Sequence, residues 1–185
     1  AVGSPRASLE DNFLLRELVG AERFCTGLSD VHAATTEAAL TLLASGPVPA
    51  ATLPEVEAAD AVLILGEDLP VTAPRTALAV RQAARVRSLE LAEEIGLPPW
   101  QDAGVRRHGQ LARSPILRLS PTATRLDDVC TDTLDRPPEA VARLGEAIAR
   151  ALAAGEGAPA VDPACADEAE RAFVRSAVDA LRAAK

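Results

Sequence analysis

Apolar and polar positions alternate most tellingly between Pro54 and Arg87. An acidic segment ending at Asp60 leads into an unbroken apolar run, Ala61-Val62-Leu63-Ile64-Leu65. Gly66 stops the run, a largely polar loop from Glu67 to Thr72 follows, and a basic helix is predicted from Pro74. A short aliphatic run bounded by turn residues reads as a strand buried on both faces. Gly66 suits a backbone that turns sharply. Pro74 fits a first helical turn, where its missing N–H costs nothing. Strand, loop and helix together form a half-unit of an open parallel sheet, in which ligand sites lie at the carboxyl ends of strands. The loop from Gly66 to Thr72 is therefore the first candidate for chemistry.

The same pattern extends to the rest of the chain. Ser8, with Asp11 three positions on, caps a first helix whose Leu9, Phe13, Leu14, Leu18 and Val19 form a wide apolar face, so this helix is expected to be buried. Gly20 ends it, and a short strand is expected around Phe24 and Cys25. Asp30 is the expected N-cap of a second helix over 31–44, and Gly46-Pro47-Val48-Pro49 forces a loop. Thr52 and Glu55 have capping-box spacing. A helix ending at Gly96 and another over 100–111 are expected, then a second core strand over Pro115–Leu119 closed by Ser120-Pro121. Val141, Leu144, Ile148 and Leu152 give the clearest amphipathic spacing, for a helix led by Pro137-Pro138 and reaching Ala153. Gly155 and Gly157 mark a linker, and Asp162-Pro163 opens a last helix with Phe173, Ala177 and Leu181 on one face. The alternation of helix and strand predicts a Rossmann-like α/β three-layer sandwich with a small, mostly parallel sheet. The expected organisation is an α/β domain segment over 1–154, a linker over 155–162, and a helix over 163–185 that starts a following segment.

Composition narrows this picture. The chain has 185 residues, 48% of them hydrophobic but only 2% aromatic, with no Met and no Tyr. Its core must be built from Ala, Leu, Val and Ile. The absence of Met and the ending directly after a helix lead to the expectation of an excised segment. No apolar run approaches the ~18 residues that span a membrane. A net charge of −8 argues against a nucleic-acid surface. Cys25, Cys130 and Cys165 are scattered and read as ordinary reduced thiols.

Candidate chemistry is sparse. Glu67 and Asp68 read as a solvated acidic turn, with a ribose or metal ligand as the alternative. Arg125, Asp127 and Asp128 read as an ion pair pinning the second strand-end loop, with catalysis as the alternative. His32 and His108 lack ligand-spaced partners and read as surface or packing residues. Ser4, Ser8 and Ser114 lack a nucleophile context. The arginines Arg75, Arg81, Arg85 and Arg87 read as a solvated face or a contact with an acidic partner subunit. Trp100 reads as a core plug or an interface anchor. No Gly-x-Gly-x-x-Gly or Walker pattern is present. No catalytic residue and no metal ligand is expected.

Several stretches together resemble one family: GSPRASLE from Gly3, NFLLRELV from Asn12, ADAVLILGED from Ala59, TAPR from Thr72 with LAVRQA from Leu78, and TRLDDV from Thr124. This combination resembles the large iron–sulfur subunit of proton-pumping NADH:quinone oxidoreductases, the respiratory complex I family, over most of residues 1–153. The resemblance implies a piece of that subunit's C-terminal region, similar in fold to molybdopterin oxidoreductases of the formate dehydrogenase and DMSO reductase type. It implies iron–sulfur clusters on cysteine motifs in the N-terminal part of the parent subunit, and none in this piece. Where the molybdopterin enzymes often carry a Gly-x-Asn-Pro loop, this chain has Gly66-Glu67-Asp68-Leu69-Pro70. Two carboxylates there repel a diphosphate. Gly66, Glu67, Asp68, Thr72, Arg125 and Asp127 are therefore expected to be a vestigial site that holds no pterin. The implied role is structural, within the peripheral arm on the cytoplasmic side of the bacterial inner membrane. Implied contacts are other subunits and the cluster-bearing part of the same subunit, without membrane insertion. A catalytic molybdopterin domain and a free-standing dinucleotide-binding module are the alternatives.

Overall fold

A computed structural model describes residues 1–46, 50–109, 112–154 and 165–184. The loop expected at Pro47–Pro49, the linker glycines Gly155 and Gly157, and the Asp162-Pro163 helix start lie outside the described residues. Two compact units are present, Ala1–Ala50 and Ala51–Lys185.

In the second unit, β2 (Ile116–Ser120) is the centre of a parallel sheet in the order β1-β2-β3, with β1 (Val62–Leu65) and β3 (Asp132–Asp135) beside it. Val62 is in register with Ile116, and Leu117 with Asp132. Every residue of β2 is buried. Successive side chains of a strand point to opposite faces. Ile116 therefore joins Ile64, Ala77, Val80, Ala83, Ala84 and Leu126 on one side of the sheet. Leu117 and Leu119 join Val141, Leu144, Ile148, Phe173, Val174 and Val178 on the other. The first side is covered by α5 (Pro74–Ala83), reached from β1 through the short α4 (Leu69–Thr72), while the short α3 (Leu53–Glu57) precedes β1 and packs against α5. The second is covered by α8 (Pro138–Ala153) and α9 (Glu168–Ala183). The result is the α/β three-layer sandwich expected from the pattern of elements. Between α5 and β2 run α6 (Val86–Glu94) and α7 (Asp102–His108).

Local chemistry sets these boundaries. Pro74 and Pro138 each stand at a helix start. The Glu55 carboxylate accepts from both the N–H and the hydroxyl of Thr52, at 2.6 and 2.7 Å. Gly66 takes a φ of 75°, which lets β1 turn immediately into α4.

Four expectations need correction. The run before Gly66 is not buried on both faces: Ile64 is 5% exposed but Leu65 is 43% exposed, because β1 is flanked only by β2 among the described residues. The strand that is buried throughout is β2. The sheet also contains β3, whose Asp-Thr-Leu-Asp sequence gives no apolar run because only alternate residues face the core. In the first unit, α1 (Leu9–Val19) follows the Ser8 cap, but it has no buried residue, and Leu9 and Leu18 are more than four-fifths exposed. Its apolar stripe meets no opposing layer among the described residues of that unit. A 3-10 turn (Ala21–Arg23) and a single bridge, Val2 to Cys25, stand where a strand was expected. The second helix, α2 (Asp30–Ser45), is capped by Ser29, whose hydroxyl accepts from the His32 N–H.

One buried carboxylate joins α9 to the rest of the second unit. Glu170, 2% exposed, accepts from Arg143 at 3.0 Å through both oxygens, from Arg136 at 3.1 Å and from the Ala166 N–H at 2.7 Å. These bonds, chiefly those from Arg143, outweigh desolvation and hold its pKa down at about 2. A carboxyl whose pKa is lowered on folding stabilises the fold above its unfolded value, and that stability is lost as the pH falls through the folded value. Removing one partner of a buried ion pair costs about 3 kcal/mol. In the full-length protein, Glu170→Gln should lower the hydrogen-exchange stability of α9 amides by that order at neutral pH. Below the ordinary glutamate range, the difference from wild type should shrink and vanish toward about pH 2. Exchange corrected for intrinsic rates measures this directly.

Candidate functional site

The carboxyl ends of β1, β2 and β3 are where an α/β sheet presents its ligand site. After β1, Gly66 donates its N–H to the Leu119 carbonyl at 2.7 Å. Glu67 turns back on its own loop, and its Oε1 accepts from the Thr72 hydroxyl at 2.9 Å and the Asp68 N–H at 3.1 Å. The Asp68 carbonyl accepts from the backbone N–H groups of Val71 and Thr72, starting α4. Its Oδ1 is shielded from solvent and has no hydrogen-bond partner among the described residues. Glu67, Asp68 and Thr72 therefore form one acidic, self-bonded turn. No cation is bonded to it among the described residues.

After β2 the chain crosses to parallel β3 through turns from Pro121 to Thr131, without the usual helix. A buried arginine holds this crossing. Arg118 lies inside β2, 2% exposed, on the same side of the sheet as Ile116. Its Nη2 donates to Asp135 at 2.7 Å and to Asp127 at 3.1 Å, and its Nη1 donates to the Thr122 carbonyl at 3.0 Å and to Ser120. Its Nε stands 2.7 Å from Asp127 Oδ1, off the line of a good hydrogen bond, so that contact is Coulombic. Asp127 also accepts from the N–H and hydroxyl of Thr124, at 3.3 and 3.0 Å. An ion pair does pin this loop, as expected, but its cation is Arg118 and not Arg125. The available signal was a charge in the middle of a core strand, which burial tolerates only with a partner.

Arg125 is exposed, and the loop uses its carbonyl, which accepts from Arg81. Arg81 also grips both oxygens of Asp128 at 2.8 Å, which holds that carboxyl below its usual range. No side-chain hydrogen bond links Gly66, Glu67, Asp68 or Thr72 to Arg125 or Asp127 among the described residues. The Cys130 thiol is pushed up to about 11, first by burial and then by Asp127, so it stays protonated at neutral pH. The described part of the chain contains no group of three or more His, Cys, Asp or Glu placed to hold a metal. His32 and His108 are exposed, Ser114 is buried under α6, and Trp100 is 79% exposed, which excludes a core plug.

The arrangement presents carboxylates where a bound phosphate requires donors. Among the described residues its one buried cation, Arg118, is already shared between two aspartates. Glu67 and Asp68 would oppose the charge of a diphosphate placed beside them.

No family model matches the chain. Curated relatives do. The chain is 45% identical over 184 residues to the G subunit of the NADH-quinone oxidoreductase of Pseudomonas putida, an alignment that covers 100% of this chain and 20% of that protein. It is 47% identical over 161 residues to the corresponding G subunit of Salmonella typhimurium, covering 87% of the chain and 18% of the relative. The figures for Escherichia coli K12 are 46% over 161 residues, 87% and 18%. The chain thus spans about one fifth of the length of the relatives it matches.

The Arg118 cluster yields an asymmetric expectation. Arg118→Met leaves Asp127 and Asp135 able to reach water, since their side chains are 29% and 54% exposed. Asp127→Asn with Asp135→Asn strands a buried guanidinium instead. Leaving a buried charge without its partners costs about 3–5 kcal/mol, whereas exchanging a buried ion for an apolar side chain costs far less. The double variant should be the less stable, with faster proteolytic cleavage between Pro121 and Thr131. Urea titration combined with pulse proteolysis of the full-length protein checks the order.

Proposed function

We propose, from this kinship with a segment of the NADH-quinone oxidoreductase G subunit, that the chain is a structural piece of such a subunit that takes no part in catalysis. The carrying observation is the closed carboxyl end of the sheet. Glu67 is turned onto Thr72, and Arg118 is consumed by Asp127 and Asp135. In this reading, NADH, flavin and quinone act on other domains or subunits, and iron–sulfur clusters sit in the N-terminal part of the parent subunit.

The exposed apolar helices of the first unit support the same reading. None of the described residues from 1 to 46 is buried, and Leu9, Leu14, Leu18, Leu42 and Leu43 are all more than three-fifths exposed. Patches of that kind mark surfaces made for protein contact. Their cover would be the cluster-bearing part of the parent subunit or neighbouring subunits of the peripheral arm, on the cytoplasmic side of the membrane. No described helix is long and apolar enough to cross a membrane.

Molybdenum and tungsten content of the full-length protein from its native source tests this reading. The expected value is near zero per chain. A value near one would make this segment part of a catalytic molybdopterin oxidoreductase. Glu67→Gln with Asp68→Asn gives a second test. Quinone-reductase activity of the intact enzyme should stay within about twofold of wild type, because neither carboxylate is asked to stabilise a transition state. Nucleotide and pterin affinity should be unchanged by titration.

A further inference from the structure

The amino ends of the strands carry a feature of opposite character to the acidic carboxyl ends. There the last turn of α5, the start of α6, α7 and the loop before β3 enclose an open groove of about 900 Å³. Connectivity fixes its position: the Ser114 N–H donates to the Ala84 carbonyl just before β2 begins, and Val129 lies just before β3. Gly109 lets α6 and α7 meet closely at its base, since a Cβ there would come within 2.6 Å of the Ser88 Cβ.

Five arginines, Arg81, Arg85, Arg106, Arg107 and Arg113, and one aspartate, Asp102, line the groove, and beside it Asp128 pairs with Arg81 at 2.8 Å. The chain as a whole carries −8, so this concentration of positive charge is local. Arg85 and Arg106 share Asp102, at 2.9 and 2.8 Å. Arg113 spends its Nη1 on the Asp128 carbonyl at 2.7 Å. Arg107 has no ion pair or side-chain hydrogen bond among the described residues. Val129 and Leu78, the latter 45% exposed, add apolar lining to the groove. Of Arg75, Arg81, Arg85 and Arg87, only Arg81 and Arg85 line this groove. Arg87 is taken by Glu90 at 2.8 Å.

We infer that this groove docks an acidic segment of another polypeptide, one that inserts at least one apolar side chain between the arginines. Three features select that occupant. Guanidinium forks match carboxylates and are favoured at protein interfaces. The site is an open groove, whereas small-ligand sites enclose most of their ligand. It also lies at the end of the sheet opposite to that used for cofactors. The inference does not depend on whether the segment is catalytically silent, so its failure leaves the metal-content test standing.

The test is photo-cross-linking in cells that produce the full-length protein, with a photoreactive phenylalanine analogue at Gln82 in the groove wall. The expected product is a peptide of a different chain in which Asp and Glu outnumber Lys and Arg. Arg106→Glu with Arg107→Glu should cut its yield about tenfold or more, as like charges oppose docking. Arg106→Lys with Arg107→Lys should retain most of it. Arg106 is 78% exposed, so the charge reversal spares the core. A cross-link within the same chain, to a peptide without acidic excess, to a nucleotide or to a lipid would overturn the inference. So would the absence of any cross-link, or a yield unaffected by charge reversal.

Discussion

The ion pairs of Arg118 determine how this sheet is assembled. A guanidinium in the middle of the central strand has to be neutralised where water is excluded. The aspartates that do so come from the crossover loop and from the end of β3. Satisfying one charge therefore fixes both the path from β2 to β3 and the closure of the sheet's carboxyl end. A crossover without a helix has no amphipathic face with which to cover the sheet. Here Leu126 supplies the apolar contact, while Asp127 and Asp128 supply the anchors, one to Arg118 and the other to Arg81.

The two ends of the sheet consequently differ in electrostatic sign. Carboxylates collect at one end, where cofactor phosphates would need cationic or N–H donors. Arginines collect at the other. Helix α5 runs between these ends, and Arg81 near its carboxyl end serves both the crossover loop and the groove. The Glu170 cluster plays the same part on the opposite face. There a carboxylate buried between Arg136 and Arg143 joins α9 to α8 and to the end of β3.

Much of this architecture was legible in the sequence, for identifiable reasons. Strand β2, helix α8 and the caps at Ser8 and Thr52 follow local rules of periodicity and hydrogen bonding, which act within a few residues. Strand β3 escaped because its Asp-Thr-Leu-Asp sequence obeys a partner and not a propensity. The burial expected for α1 failed because amphipathicity states that a helix has an apolar face, not what covers it. At the candidate site, the acidic character of Glu67 and Asp68 and the pinned loop at Asp127 could be read directly. Arg118 could not be assigned as the pin, because its partners lie on separate segments that only the fold brings together. The groove was half visible, since α7 contributes arginines far in sequence from those of α5.

The position of Trp100 has a practical consequence for spectroscopy. This chain contains one Trp and no Tyr, and the indole is 79% exposed just before α7. Its emission therefore arises from a solvated surface and not from the aliphatic interior. Loss of the packing around Phe173 and Ile148 would pass nearly unseen in the segment's intrinsic fluorescence. Burial of the surface beside α7 would shift that emission to the blue. The fluorophore that conventionally reports on a protein's core is here a reporter of its surroundings.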